Sequence, residues 1–290
     1  MNTELERMKI TIAGATGVIG SNLCRNLVQA GTDVYGLGRD LEKLQEVASS
    51  LVAFPGKFVP IPLNSLGPDG WETALKTILE QAGQIDVFVH AIGVLVPGGV
   101  LELTEPEIQK ILQTNLVSVI YASRAVLPHM IARGKGQFIV VGSLGGLVPV
   151  PFQALYCASK FALRGFCLSL QEELLSTGVN VSILSPGSVD GAMLKNEGAD
   201  WRAARAFAQP LLDADTVARE AIRLIRSPQV ELLIPRWNRE LAALMNAFPR
   251  LFSLASPVLR KSGMRRLRRY RKSEHPIGHK HETECYGVSL

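Results

Sequence analysis

A doubly wound α/β sheet is the fold class that the 290-residue chain predicts. Two observations lead there. Short, nearly continuous apolar runs of strand length alternate with longer helical stretches, and a glycine-rich turn joins the first run to the first helix. In order, the strand runs are Lys9–Ala13, Asp33–Leu37, Lys57–Ile61, Asp86–Ala91, Gln137–Gly142, Asn180–Leu184 and Val230–Ile234. Runs of this kind suit strands covered on both faces, as in a parallel sheet. The helical stretches between them are Gly17–Ala30, Leu41–Leu51, Asp69–Ala82, Glu105–Arg133, Ala154–Ser176 and Asp215–Arg226. Strand and helix in alternation, without an internal repeat or a low-complexity linker before residue 235, predict one domain over residues 1–235.

Composition agrees with a packed chain, at 47% hydrophobic and 20% charged residues. Cys24, Cys157, Cys167 and Cys285 are far apart with no C-x-x-C pair, which argues against a disulfide scaffold or a zinc finger and for reduced thiols in a cytoplasmic protein. The first apolar run is too short for a signal-peptide core, and Asn246, Pro249, Arg250 and Pro257 interrupt the most apolar later stretch, Leu241–Leu259. The net charge of +5 is local. Eight cations and no acid fall between Arg260 and Lys272, whereas the rest of the chain carries 23 basic and 26 acidic residues.

The turn Gly14-Ala15-Thr16-Gly17-Val18-Ile19-Gly20 follows the first strand and opens a helix. Gly14 permits a tight turn, Gly17 lets backbone approach a pyrophosphate, and Gly20 lets the helix lie close on the sheet. A dinucleotide's phosphates would sit at that helix N-terminus, against free N–H groups and the helix dipole. After the second strand Gly38 offers no carboxylate to a ribose, and Arg39 puts a cation where a 2′-phosphate would lie. This favours NADP(H), with NAD(H) left open by Asp40.

Tyr156 and Lys160 stand at i and i+4 on one helix face, so an ammonium can stabilise a phenolate and draw its pKa toward neutrality. Ser143 follows the fifth strand, at the carboxyl edge where ligands bind such sheets. Asn115 lies within the long fourth helical stretch.

In this order and spacing the residues resemble the short-chain dehydrogenase/reductases over about residues 8–235. The glycine turn, Ser143, Tyr156-x-x-x-Lys160 and Pro186-Gly187 carry the resemblance. It implies a single Rossmann-type sheet of about seven strands with helices on both faces. It also implies an NAD(P)-dependent oxidoreductase acting on CH–OH groups, and roles for individual residues. Tyr156 would be the general acid/base, Ser143 would hold the carbonyl oxygen, Lys160 would bind the nicotinamide ribose, and Asn115 would hold a relay water. Gly14, Thr16, Gly17, Val18, Ile19, Ala91, Ile92 and Gly93 would contact the cofactor, with Asn64 on the adenine and Pro186, Gly187 and Val189 beside the nicotinamide. The family commonly pairs the equivalents of Glu105–Arg133 and Ala154–Ser176, which implies a homodimer or homotetramer.

Three positions depart from the family's common form. Val18 stands where a glycine is usual, as in the epimerase-like branch; His90 stands for an asparagine that braces the sheet; and Gly191 stands for a threonine that often holds the carboxamide. His90 reads as a structural, hydrogen-bonded histidine. Met193–Gln209 falls where relatives keep a substrate lid, and its apolar content suggests a small apolar substrate of lipid, steroid, acyl or polyketide type. An epimerase/dehydratase and a non-catalytic dinucleotide sensor are the competing readings.

Residues 236–272 read as an amphipathic, basic helical extension, and 273–290 as a disordered tail. Trp237, Leu241, Leu244, Met245, Phe248, Leu251, Phe252, Ala255 and Leu259 recur at approximate helical spacing before the cationic cluster. Two readings stand level: an interfacial anchor on an anionic membrane, or a helix packed on the pocket or on a partner subunit. Nucleic acid ranks third, since the cluster has only Tyr270 to stack on bases. His275, His279, His281 and Cys285 fit no usual zinc spacing, and no metal is expected.

Overall fold

The computed structural model describes residues 3–197 and 201–274. A short helix α1 (Thr3–Glu6) leads into seven strands, β1 (Lys9–Ala13), β2 (Asp33–Gly38), β3 (Phe58–Pro62), β4 (Val87–His90), β5 (Gly136–Val141), β6 (Val179–Pro186) and β7 (Glu231–Ile234). All pair in parallel in the order β3-β2-β1-β4-β5-β6-β7. The order reverses between β1 and β4, and it is there, beyond the carboxyl ends, that such sheets open a crevice. The strands alternate between two apolar cores. Ile10, Ile12, Val87, Val89, Ile139 and Val141 face one side, with Leu23 and Leu27 of α2 (Val18–Gln29) and Val217 and Leu224 of α9 (Ala214–Arg226). Phe88, Phe138 and Val140 face the other, with Trp71 of α4 (Pro68–Ala82), Val126 of α6 (Ser118–Ala132) and Leu163 of α7 (Ala154–Glu173). Phe88 and Phe138, paired in register, stack at 5.2 Å.

Local chemistry sets the helix ends. Asp40 caps α3 (Leu41–Leu51) by accepting from Lys43 N, and Asp213 caps α9 through Thr216 N. Thr104 and Glu107 form a capping box at the start of α5 (Glu105–Leu112), and α4 stops at Gly83, which is left-handed with φ +76°.

The stretch expected as one helix over 105–133 is broken. A π-helical turn, Gln113–Val117, separates α5 from α6. The extra residue in this turn carries Asn115 inward, where it is fully buried, and inserted turns of this kind mark functional positions.

The lid region consists of α8 (Ala192–Glu197) and a 3₁₀ turn, Trp201–Phe207. After β7 come α10 (Asn238–Ala247) and α11 (Pro249–Glu274). The inner face of α11 lies on the 3₁₀ turn: Leu267 is buried with Leu194, Ala204 and Phe207, and Arg266 donates to Ala208 O at 2.9 Å. Gly263 makes this approach possible, because a Cβ there would stand 1.8 Å from Ala204 O. Of the two readings of the extension, the helix packed on its own enzyme thus describes the inner face. No helix among the described residues is long and apolar enough to cross a membrane. His275, His279, His281, Cys285 and nearly all of the expected tail lie outside the described residues, as does the side chain of Trp201.

Candidate active site

The site begins at the glycine turn. Gly14 has φ +87°, and a Cβ there would meet the Ala91 carbonyl at 3.0 Å, so this residue brings the carboxyl ends of β1 and β4 together. A Cβ on Gly20 would lie 2.1 Å from Gly14 O, which only glycine allows. Gly17 caps α2, and Thr16, Gly17, Val18 and Ile19 line a cavity of about 490 Å³. This cradle of backbone at a helix N-terminus fits a dinucleotide pyrophosphate.

Ala91, Ile92 and Gly93 continue the wall beyond β4. A Cβ on Gly93 would stand 3.6 Å from both Asn115 Oδ1 and Lys160 Nζ, so the floor is formed by these two buried groups. The Asn115 amide donates to Val94 O (2.9 Å) and Ser159 Oγ (3.1 Å) and accepts from Val94 N (2.8 Å). Its side chain therefore pins the loop after β4 to α7, a role that neither sequence nor resemblance had assigned it.

Ser143 follows β5, caps the 3₁₀ turn Leu144–Gly146, and accepts from Gly145 N at 3.0 Å. Two glycines that the sequence did not single out bring this turn onto α7. A Cβ on Gly145 would lie 3.2 Å from Tyr156 Cε1 and 3.4 Å from Ser143 Oγ, and one on Gly146 would lie 2.7 Å from Lys160 O. Tyr156 and Lys160 share a face of α7, with Lys160 Nζ 5.8 Å from the tyrosine ring centre. Lys160 donates to Val141 O at 3.2 Å, and burial lowers its pKa from 10.5 to about 8. It thus stays largely protonated at neutral pH, beside the phenol it is expected to tune.

Pro186, Gly187 and Val189 line the cavity after β6. Gly187 N donates to Ile234 O at 2.8 Å, and Val189 forms a parallel bridge to Leu212. Two of the sequence departures meet in space here. A Cβ on Gly191 would fall 2.7 Å from Val18 Cγ2, so a threonine at 191 would press on the valine at 18. The valine in the glycine turn and the glycine in the loop after β6 are complementary in volume.

His90 is buried at the end of β4, and its Nε2–H donates to Ser118 Oγ at 3.0 Å. The Ser118 hydroxyl donates on to Thr114 O at 3.0 Å. The ring braces the sheet against the π turn that carries Asn115, in keeping with a structural histidine. Burial, and then the charge of Lys160, lower its pKa to about 3, so it is neutral across the ordinary range. Cys24 and Cys167 are buried thiols whose pKa values burial raises, that of Cys167 to about 12, which makes them poor nucleophiles.

Arg39 and Asn64 stand exposed beyond β2 and β3, at the rim and not among the residues that line the cavity. The Asp40 carboxylate is engaged by Lys43, through the backbone N–H at 3.1 Å and the ammonium at 3.2 Å. Val148, Val150, Met193, Leu194, Met245 and Leu259 make much of the remaining wall apolar, and Gln153, Ser188, Asp190, Arg205 and Gln209 give it polar points. Met245 and Leu259 come from α10 and α11, so the extension contributes directly to the pocket. In the 3₁₀ turn, Arg202 pairs with Glu102 and lies over the Phe152 ring at 5.7 Å.

Comparison with known proteins accords with this geometry. A family profile described as short chain dehydrogenase matches residues 8–202. Human 17-beta-hydroxysteroid dehydrogenase type 1 is 34% identical over 197 residues, which are 66% of this chain and 60% of that protein. The ketoacyl reductase HetN of Nostoc is 26% identical over 80% of each chain. This chain matches about 60% of the steroid dehydrogenase's length. Among solved structures, a metagenomic short-chain oxidoreductase in complex with NADP superposes with a TM-score of 0.67 at 28% identity, over 79% of this chain and 96% of that one. A short-chain dehydrogenase from Streptomyces avermitilis, at 20% identity, shares the fold with a TM-score of 0.71 over 87% of this chain and 98% of that one. By its matched profile, its fold and the residues gathered at the β4/β5 edge, the chain belongs to the short-chain dehydrogenase family of oxidoreductases.

Proposed function

We propose that this protein is an NADP(H)-preferring oxidoreductase that interconverts a ketone or aldehyde and an alcohol on an apolar substrate. The observation that carries the reading is the convergence of Ser143, Tyr156 and Lys160 on an apolar cavity whose other wall is the glycine turn. When bound, the nicotinamide cofactor supplies the hydride donor or acceptor. The protein's own part is proton handling and orientation. Ser143 Oγ donates to the substrate oxygen and fixes it. Tyr156 Oη gives that oxygen its proton in reduction and takes it in oxidation. Lys160, protonated below about pH 8, holds the ribose hydroxyls and stabilises the phenolate left on Tyr156. Asn115 keeps the floor beneath Lys160 in place.

Engagement of Asp40 as a helix cap, beside exposed Arg39, supports the preference for a 2′-phosphate. The side chains of Val148, Val150, Met193 and Leu194 support an apolar substrate, and the relatives' names, a hydroxysteroid dehydrogenase and a ketoacyl reductase, fall in that class. Phe161, exposed on the outer side of α7, supports pairing of two copies through α6 and α7. A monomer in sedimentation equilibrium would remove that part.

Two substitutions test the reading. With apolar ketones and NADPH, Tyr156→Phe is expected to lower turnover by about 10²–10⁴-fold while NADPH affinity stays nearly unchanged. Retained turnover would refute the acid/base role. Arg39→Ala is expected to cost NADPH about 1.5–3 kcal/mol of binding and NADH almost nothing. Equal losses on both cofactors would refute the preference.

A further inference from the structure

The apolar stripe and cationic cluster of the C-terminal segment remain after the catalytic reading is complete. In α11 the two faces part cleanly. Leu259, Gly263, Leu267 and Tyr270 face inward, Leu259 onto the cavity and Leu267 and Tyr270 onto the lid. The opposite stripe, Val258, Lys261, Arg265 and Arg268, recurs at helical spacing and is exposed, flanked by exposed Arg269. Trp237 and Phe248, which bound α10 at its two ends, and Leu244 within it are about half exposed. Exposed apolar side chains and four cations, next to the roof of an apolar cavity, need a surface with both characters.

We propose that the outer face of α10 and α11 docks on an anionic lipid bilayer, with Trp237, Leu244, Phe248 and Val258 at the acyl boundary and Lys261, Arg265, Arg268 and Arg269 among the headgroups. Four cations near such a surface make a firm attachment only in company with buried apolar area. A nucleic acid fits less well. Tyr270, the one aromatic within the cluster, has its hydroxyl on Asp190 Oδ1 at 3.0 Å and its ring against Phe207 at 5.2 Å, which withdraws it from stacking on bases. Docked this way, the helix that roofs the cavity lies between membrane and pocket, and an apolar substrate can enter from the bilayer. The docking stands apart from the catalytic reading; only the entry route rests on it.

The test is sedimentation of the full chain with phosphatidylcholine vesicles, with and without phosphatidylserine, in the absence of cofactor and substrate. Trp237 emission is followed against a Trp237→Phe control. Expected are binding that requires phosphatidylserine, a drop of more than tenfold when salt is raised, and a blue shift lost in Trp237→Phe. The combined variant Lys261→Glu, Arg265→Glu, Arg268→Glu is expected to lose at least tenfold in vesicle binding while NADPH affinity, a measure of an intact fold, is unchanged. Absent binding, binding indifferent to phosphatidylserine or to salt, or unaltered binding by the charge-reversed variant would overturn the proposal. Displacement from vesicles by RNA at equal charge concentration would also overturn it, because the face would then be a general polyanion site. Should the variant fail to bind NADPH, the salt and lipid series on the unaltered chain decides alone. Turnover by an unaltered chain that does not bind vesicles would reject the docking and leave the enzyme reading standing, and vesicle binding without turnover would do the reverse.

Discussion

The two halves of the cavity are built by different means. The cofactor half is made of main chain: a methyl group on Gly14 or Gly20 would strike backbone, one on Gly17 would press on Gly14 O at 3.2 Å, and strand register holds the turn in place. The substrate half is made of side chains on helices, Met193, Leu194, Met245 and Leu259, held by Leu267 and Phe207. Backbone contacts at van der Waals distance tolerate almost no change, whereas apolar side chains can exchange volume with one another. One half therefore suits a cofactor of constant shape, and the other can be adapted to a particular substrate.

The sharpest break in that comparison is a methyl group in the cradle. Gly20→Ala places a Cβ 2.1 Å from Gly14 O, with no side chain able to yield. A loss of about 1–3 kcal/mol of stability and more than tenfold weaker NADPH binding are expected, read by thermal denaturation and by titration. Near-normal binding would mean the turn is softer than its contacts imply.

Next comes the exchange between Val18 and Gly191. Gly191→Thr alone is expected to weaken NADPH several-fold, and adding Val18→Gly to restore most of it, a coupling of about 0.5–3 kcal/mol in a double-mutant cycle. Additive effects would show the two departures to be independent.

On the substrate side, Leu267→Ala leaves a void between α11 and the lid. KM for apolar ketones is expected to rise about three- to tenfold, since removing a buried leucine side chain destabilises its surroundings by a few kcal/mol of which the pocket feels part. Kd for NADPH should stay constant. A matching rise in Kd would mean that the two halves do not respond separately.

The effect that is smallest at neutral pH lies in the sheet itself. His90 has a folded pKa of about 3 against an ordinary value of 6.5, because burial disfavours its charged form. Between those values the unfolded chain takes up a proton that the folded one refuses, so stability falls as pH drops below 6.5, by at most about 1.4 kcal/mol per pH unit. In His90→Asn the urea midpoint should depend less on pH between 6.5 and 4.5. An unchanged slope would place the acid sensitivity elsewhere.

Much of the site could be read from residue order. Tyr156 and Lys160 meet because the helix repeat makes them meet, and Ser143 reaches the edge because it follows an apolar strand. What escaped was whatever depends on residues far apart in sequence. Gly145 and Gly146 look like loop glycines until α7 is seen pressed against them. Val18 and Gly191 look like two unrelated departures. The expected single helix over 105–133 contains a π turn whose Asn115 bonds to Val94 and Ser159 and so joins three separate segments.

By itself the sequence determined the alternating architecture, the glycine cradle and which side chains are candidates for catalysis. Those follow from local periodicity and from chemistry carried by individual residues. Only the tertiary structure decided that α11 roofs the pocket and turns its cations outward, that His90 braces the π turn, and that one glycine makes room for one valine. Each of these is a contact between surfaces distant along the chain, set by which volumes fit together in three dimensions and not by neighbouring residues.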